Sequence, residues 1–220
     1  MAEAAHLVGK RRPRVRGKKG AIVRLYTNPA PLSTVICLDE LGPVAAKRYP
    51  SPSWSDDAHR PHFHPDYARQ ADRWAFGALA HRSGEVVLHT ATTRDTAAWL
   101  CFLDRLQAFA PPGDAYLIVD ALPLHWTVDT MLWNGGHPRF HLIPLPKRAA
   151  WLNLSEGCWK ILRQRSLAGR VGHNAAEVDL ALHVGVADWN TRPTPFLWGR
   201  SPRPTRRPTR RLKTRSVYRS

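Results

Sequence analysis

Ala115-Tyr-Leu-Ile-Val-Asp120 holds four consecutive apolar residues, Tyr116 to Val119, between Pro111-Pro112-Gly113 on one side and Pro123 on the other. So short and apolar a run predicts a strand buried on both faces, as in the parallel part of an α/β sheet. It ends in a carboxylate. Ser33-Thr-Val-Ile-Cys-Leu-Asp39-Glu40 has the same form. The two runs predict neighbouring strands that bring Asp39 and Asp120 to the C-terminal edge, where open α/β sheets gather their ligands. From these stretches alone two readings stand: the carboxylates share a metal ion, or each merely opens a turn.

Working outward, Trp74–Ala80 and Glu85–Thr90 flank His81-Arg-Ser-Gly84 and predict an antiparallel hairpin. Thr92–Thr96 leads into a helix of about 14 residues, with Ala97, Leu100, Cys101, Leu103, Leu106 and Phe109 as its apolar stripe. After the strand at 116–119, residues 127–133 predict a short helix ended by Asn134-Gly-Gly136, and Phe140–Ile143 a further strand. Asn153 and Glu156 have the spacing of a capping box at the start of the next helix, with Leu154, Cys158, Ile161, Leu162 and Arg165 on one side and Glu156, Lys160 and Arg163 on the other. Asn174–Trp189 predicts the last helix, with Val178, Leu182, Gly185, Val186 and Trp189 on one face. Phe196, Leu197 and Trp198 are expected to tuck back against the domain. Residues 42–66, rich in Pro, Ser and His, predict a long ordered loop or an irregular hairpin. His59, His62 and His64 lie there without zinc-like partners and read as loop histidines near a polyanion.

The chain has 220 residues, enough for one domain with extensions, and a formal charge of +16. That charge is uneven. Residues 1–24 carry eight Lys or Arg against Glu3, and residues 200–220 carry nine with no acidic residue. Sixteen basic and sixteen acidic residues remain between 25 and 199. Basic ends on a neutral core suit phosphate backbones. The expected division is a basic arm at 1–22, a domain at 23–199 and a basic disordered tail at 200–220. Three Cys without a CxxC pair predict buried thiols, not disulfides or a structural zinc site. No signal peptide or 18-residue apolar run is present, so a soluble cytoplasmic protein that does not engage membrane is expected.

Three meandering strands, a helix, a strand, a short helix, a strand and a late helix form the order of a ribonuclease-H-like fold: α/β, a mixed five-stranded sheet with flanking helices. In it the first and fourth strands are neighbours and the late helix, carrying Glu156, crosses their carboxylate ends. Three carboxylates at one point repel unless a divalent cation neutralises them, and hard oxygen ligands favour Mg²⁺ or Mn²⁺. Two such ions suit in-line attack at phosphorus.

Four pieces resemble the catalytic domain of DDE transposases, the bacterial insertion-sequence group related to mariner elements. They are Val35-Ile-Cys-Leu-Asp-Glu-Leu-Gly-Pro43 with Tyr49-Pro50 and Trp54; Leu117-Ile-Val-Asp120 with His125; Trp151-Leu-Asn-Leu-Ser-Glu156 with Trp159; and Asp188-Trp-Asn190 with Pro195-Phe-Leu-Trp198. Asp120 and Glu156 have 35 residues between them, and the resemblance covers roughly residues 15–199. It implies that Asp39, Asp120 and Glu156 bind the catalytic ions, that Asn153 caps and orients the Glu156 helix, and that the reaction is DNA cleavage and strand transfer at transposon ends and target. Lys147 and Arg148, with Lys18, Lys19, Arg206, Arg207, Arg210 and Arg211, are the expected phosphate contacts. Two departures stand out. Ala121 occupies the family's usual Asn position after the second Asp, and a helix-turn-helix region ahead of the domain is expected to be absent. The partners this leaves open are a second copy and a separate helix-turn-helix chain. The alternatives are a truncated or inactive remnant that only binds DNA, and a ribonuclease-H-like nuclease that cuts without joining.

Overall fold

The computed structural model describes residues 13–48, 53–54, 61–62, 68–167 and 174–199. In chain order the main elements are α1 (Pro13–Thr27), β1 (Thr34–Arg48), β2 (Ser53–Trp54), β3 (Pro61–His62), β4 (Ala68–Ala80), β5 (Val86–Ala91), α2 (Thr96–Phe109), β6 (Ala115–Val119), α3 (Val128–Gly136), β7 (Phe140–Pro144), α4 (Ser155–Ser166) and α5 (Ala175–Thr191). One five-stranded sheet runs β5-β4-β1-β6-β7, and β2 pairs only with β3. β4 is antiparallel to β1 and β5, whereas β6 is parallel to β1 and β7. This is the mixed sheet of the ribonuclease-H-like fold.

Alternation along β1 divides the interior in two. Val35, Cys37 and Leu41 join Ile22 and Tyr26 of α1, Cys158, Trp159 and Leu162 of α4, and Val178, Leu182, Val186 and Trp189 of α5. Ile36 and Leu38 face the other way, onto Trp99, Phe102, Leu103 and Leu106 of α2. β6 is covered on both faces, as its unbroken apolar run requires: Ile118 belongs to the first cluster, Leu117 and Val119 to the second.

Several elements differ from the sequence expectation for identifiable reasons. Residues 13–22, expected within the arm, begin α1; Ile22 and Tyr26 are buried one turn apart, and the Tyr26 hydroxyl donates to the Leu152 carbonyl at 2.7 Å. β1 continues past Asp39 to Arg48, because a register shift between Leu41 and Val44 absorbs Gly42-Pro43 without ending the ladder. Residues 44–48 of the expected loop or hairpin therefore pair with β4, and most of residues 49–66 lie outside the described residues. The α2 face is turned from the expected stripe: Ala98, Trp99, Phe102, Leu103 and Leu106 are buried, while Ala97 and Cys101 are exposed. Trp99 and Phe102 set this rotation by packing on Phe76 of β4. Of the three thiols only Cys37 and Cys158 are buried. α3 runs through Asn134-Gly-Gly136, three residues beyond its expected end, and His137 is its C-cap.

The predicted α5 face, Val178, Leu182, Val186 and Trp189, is the buried one. Asn174 caps the helix by accepting from the Glu177 amide at 2.9 Å. Phe196 and Trp198 pack against the first cluster, Trp198 stacking on Tyr26 at 5.6 Å, whereas Leu197 is exposed. The basic tail with Arg206, Arg207, Arg210 and Arg211, and also His59 and His64, lie outside the described residues.

Candidate active site

Asp39 sits in β1 opposite Gly77 of β4. Gly77 matters because α4 lies on the sheet there: a Cβ on Gly77 would fall 2.3 Å from Cζ2 of Trp159. The missing side chain lets the indole lie directly over the strand. Asn153 fastens the start of α4 to the same region. Its Nδ2 donates to the Leu38 carbonyl at 2.8 Å, and its Oδ1 accepts from the Ser155 hydroxyl at 2.6 Å and the Ser155 amide at 3.2 Å.

The expected capping box does not form. Leu154 is the N-cap residue and contributes no side-chain bond. Asn153 orients the helix through β1, and Glu156, exposed in the first turn, is not engaged in capping. Glu156 instead lines a cleft of about 380 Å³ with Asp39, Glu40, Leu41, Trp159, Lys160, Arg163 and Gln164. Asp39 and Glu156, far apart in sequence, thus share one opening.

Asp120 follows β6 directly and does not line this cleft, but its charge reaches Asp39. Burial pushes the Asp39 carboxyl up to about 7; the neighbouring Glu40 charge adds to the rise, and Asp120 contributes further. The Glu40 amide and the Ser155 hydroxyl, 2.9 and 3.3 Å from its oxygens, work against that rise and do not cancel it. No cation is paired with Asp39 among the described residues. A half-buried carboxylate beside other carboxylates calls for one.

Alternation turns the Glu40 side chain away from that of Asp39, although the residue still borders the cleft, toward a side where sequence reasoning had assigned nothing. Its Oε1 lies 2.6 Å from Nε2 of His125, and the other ring nitrogen, Nδ1, lies 2.9 Å from Oδ1 of Asp120. His125 is buried, with its ring 4.3 Å from that of Trp99. Burial alone would lower its pKa. The hydrogen bonds and charges of Asp120 and Glu40 outweigh this and raise it to about 9, so the ring is cationic at neutral pH. Burial also opposes ionisation of Asp120, but His125, the Leu122 amide and Arg94 hold its carboxyl below the ordinary value. The available signals were the Asp39-Glu40 dipeptide, which must point two ways in a strand, and His125 five residues after Asp120.

Lys147 and Arg148 are exposed in the turn between β7 and α4. Lys18 and Lys19 belong to α1 and not to a free arm; Lys19 Nζ lies 5.3 Å from the ring centre of the exposed Trp151.

The donor set suits a hard divalent cation. Asp39, Asp120 and Glu156 offer oxygen only, no thiolate lies in the cleft, and both His125 nitrogens already face carboxylate oxygens. This strand order, with Asp39 within β1, Asp120 directly after the neighbouring β6 and Glu156 on α4, is that of a ribonuclease-H-like domain.

Sequence comparison supplies the family. The model of the family described as DDE superfamily endonuclease matches residues 34–178, from the first residue of β1 into α5, and the chain belongs to that family. It is 30% identical over 87 residues to the insertion element IS630 uncharacterized 39 kDa protein of Shigella sonnei. That match covers 39% of this chain and 25% of the relative, so it spans a quarter of the relative's length. Among solved structures, the Mos1 strand transfer complex is similar with a TM-score of 0.48 and 13% identity, over 82% of this chain and 61% of that one. The Mos1 mariner paired end complex with Mn gives 0.44 and 13%, over 86% and 65%.

Proposed function

We propose that this chain is the catalytic domain of an insertion-sequence transposase that cleaves DNA and transfers strands, with Asp39, Asp120 and Glu156 holding divalent cations. The observation that carries the reading is Asp39 itself: half-buried, paired with no cationic side chain among the described residues, and sharing a cleft with Glu156 beside Asp120. Membership of the endonuclease family supports the reaction class.

Two Mg²⁺ or Mn²⁺ ions bound there would polarise the scissile phosphate and stabilise the attacking and leaving oxygens of an in-line displacement. The chain's own residues prepare that geometry. Asn153 and the Trp159–Gly77 contact hold α4 against β1, so that Glu156 faces the cleft from the helix while Asp39 faces it from the sheet. Lys160 and Arg163, one and two turns along α4 from Glu156, line the same cleft and place positive charge where a phosphate backbone would enter. Lys147, Arg148, Lys18 and Lys19, with the basic segments 1–22 and 200–220, extend non-specific contact with DNA. Arg206, Arg207, Arg210 and Arg211 supply part of the tail's charge. Joining requires two DNA ends held together, so the working form is a homodimer, completed by a helix-turn-helix region in this or another chain. Its place of action is the cytoplasm. Among the described residues no helix is long and apolar enough to cross a membrane.

The test is Mn²⁺-dependent nicking and joining of labelled DNA by the 220-residue chain and by Asp39→Asn, Asp120→Asn and Glu156→Gln. Nicked and joined products that all three variants lose are the expected result. Nicking without joining reduces the assignment to a nuclease. DNA binding by a folded protein without any metal-dependent product removes the catalytic assignment.

A further inference from the structure

We propose that His125 is a positioning residue that sets the Asp120 carboxylate for its ion, and that Glu40 holds His125 in place from the opposite side of the ring. The inference rests on the reading of Asp120 as a metal ligand given above. Asp120 Oδ1 lies 2.9 Å from His125 Nδ1, which is also 3.3 Å from the Asp120 main-chain carbonyl, and accepts from the Leu122 amide at 3.1 Å. Two donors on one oxygen fix the plane of the carboxylate and leave Oδ2 as the oxygen turned to a cation. Without them this side chain, 38% exposed, could swing into solvent. The ring itself has no freedom: it is 1% exposed, packed on Trp99, and tied at Nε2 to Glu40, whose side chain is 4% exposed.

The Asp39-Glu40 dipeptide thereby serves both faces of β1. Asp39 lines the cleft, and Glu40 acts on the neighbouring strand's carboxylate through the imidazole.

Glu40, Asp120 and His125 also lie close enough to be three ligands of one ion, their donor atoms within 4.8 Å of one another. The distances argue otherwise. Two donors at about 2.1 Å from one ion, roughly 90° apart, are about 3 Å from each other, whereas Nε2 and the Glu40 oxygen are 2.6 Å apart, the length of a charge-assisted hydrogen bond. With both nitrogens turned to carboxylate oxygens, the ring has none left for a metal. A partner that orients a ligand in this way is worth roughly 10- to 100-fold in metal affinity.

The experiment measures Mn²⁺ affinity of the full chain by calorimetry, folding by circular dichroism, and nitrogen coupling to bound Mn²⁺ by pulsed EPR. His125→Ala should stay folded and bind Mn²⁺ roughly 10- to 100-fold more weakly. His125→Gln, which retains an N–H for Oδ1, should recover part of the loss, and the parent should show no directly coordinated nitrogen. A folded His125→Ala with parental affinity overturns the proposal, as does a coordinated nitrogen in the parent that disappears in His125→Ala. If His125→Ala fails to fold, Glu40→Ala decides: weaker Mn²⁺ binding supports the tether, and unchanged binding overturns it. Unchanged Mn²⁺ affinity in Asp120→Asn removes the ligand reading itself, and this inference with it. Weakened binding in Asp120→Asn beside parental binding in His125→Ala refutes this inference alone.

Discussion

Replacing Gly77 with alanine should damage the site more than the fold. The added Cβ would lie 2.3 and 2.6 Å from two carbons of the Trp159 indole, whereas carbon atoms in contact rest at about 3.5–4.0 Å. Either the ring or the strand must give by more than about 1 Å. β4 is an interior strand hydrogen-bonded on both sides, so the ring and α4 are the softer partners. Overpacking of this size costs about 1–3 kcal/mol, and alanine's better strand propensity returns about 0.5–1 kcal/mol. The net is about 1–2 kcal/mol, or roughly 2–8 °C in Tm for a domain of this size. Glu156 lies one turn from Trp159 on the same helix, and a displacement of about 1 Å at a catalytic group costs on the order of 100-fold in rate. Urea unfolding of Gly77→Ala, Trp159→Leu and the double variant gives the coupling directly. Trp159→Leu leaves a void and is destabilising by itself, but in that background the alanine should cost nothing. A Gly77→Ala penalty equal in both backgrounds to within about 0.5 kcal/mol, or no penalty at all, would refute the close-contact argument.

Three further outcomes follow from the same contacts. The Asp39 pKa is raised by folding from 3.8 to about 7, so its proton stabilises the metal-free protein fully below about pH 4, and that contribution is lost as pH rises through about 7. Melting in EDTA should therefore drop between pH 5 and 8, more steeply for the parent than for Asp39→Asn; equal slopes would show that Asp39 does not titrate there. Asn153→Ala removes the side-chain donor to the buried Leu38 carbonyl and leaves the Ser155 hydroxyl only its Asp39 contact, and should cost about 1–3 kcal/mol in denaturant unfolding; a loss below about 0.5 kcal/mol would mean that Asn153 does not fasten α4. Asn190 pairs with both the amide and the carbonyl of Val86, at 2.9 and 2.7 Å, as a second strand would. Asn190→Ala should speed amide exchange at Val86 on the edge strand, and an unchanged rate would dismiss the pairing.

How much the sequence disclosed depended on whether the decisive signal was local. β6 was legible because it is an apolar run bounded by turn residues and covered on both faces, and β7, though an edge strand that carries His141, because its short apolar stretch is stopped by Pro144 and Pro146. The α2 face was misjudged because alternatives only one residue apart fit its apolar content, and the choice between them is made by Phe76 on another strand. α1 was hidden by five basic residues from Arg14 to Arg24 and by Gly17 and Gly20; only Ile22 and Tyr26 announce its buried side. Gly42-Pro43 resembles a terminator, and nothing nearby in sequence reveals that β4 shifts register to accommodate it.

At the site, Asp120 was legible from its position directly after β6, whereas Asp39, expected at a strand end, lies inside β1, which runs on to Arg48. Glu156 came from spacing and resemblance, for a reason the structure alters: the capping box that offered a structural role for it is absent. The Glu40–His125–Asp120 chain was not read at all. It depends on the alternation of β1 together with a buried turn that closes only once α2 covers it.

The most direct measurement is anomalous diffraction from crystals of the chain soaked in Mn²⁺. The account predicts a Mn²⁺ peak in the cleft with oxygens of Asp39, Asp120 and Glu156 at about 2.1–2.3 Å and His125 outside the coordination sphere. An ion bound by His125, or held elsewhere with these three carboxylates unliganded, would contradict it.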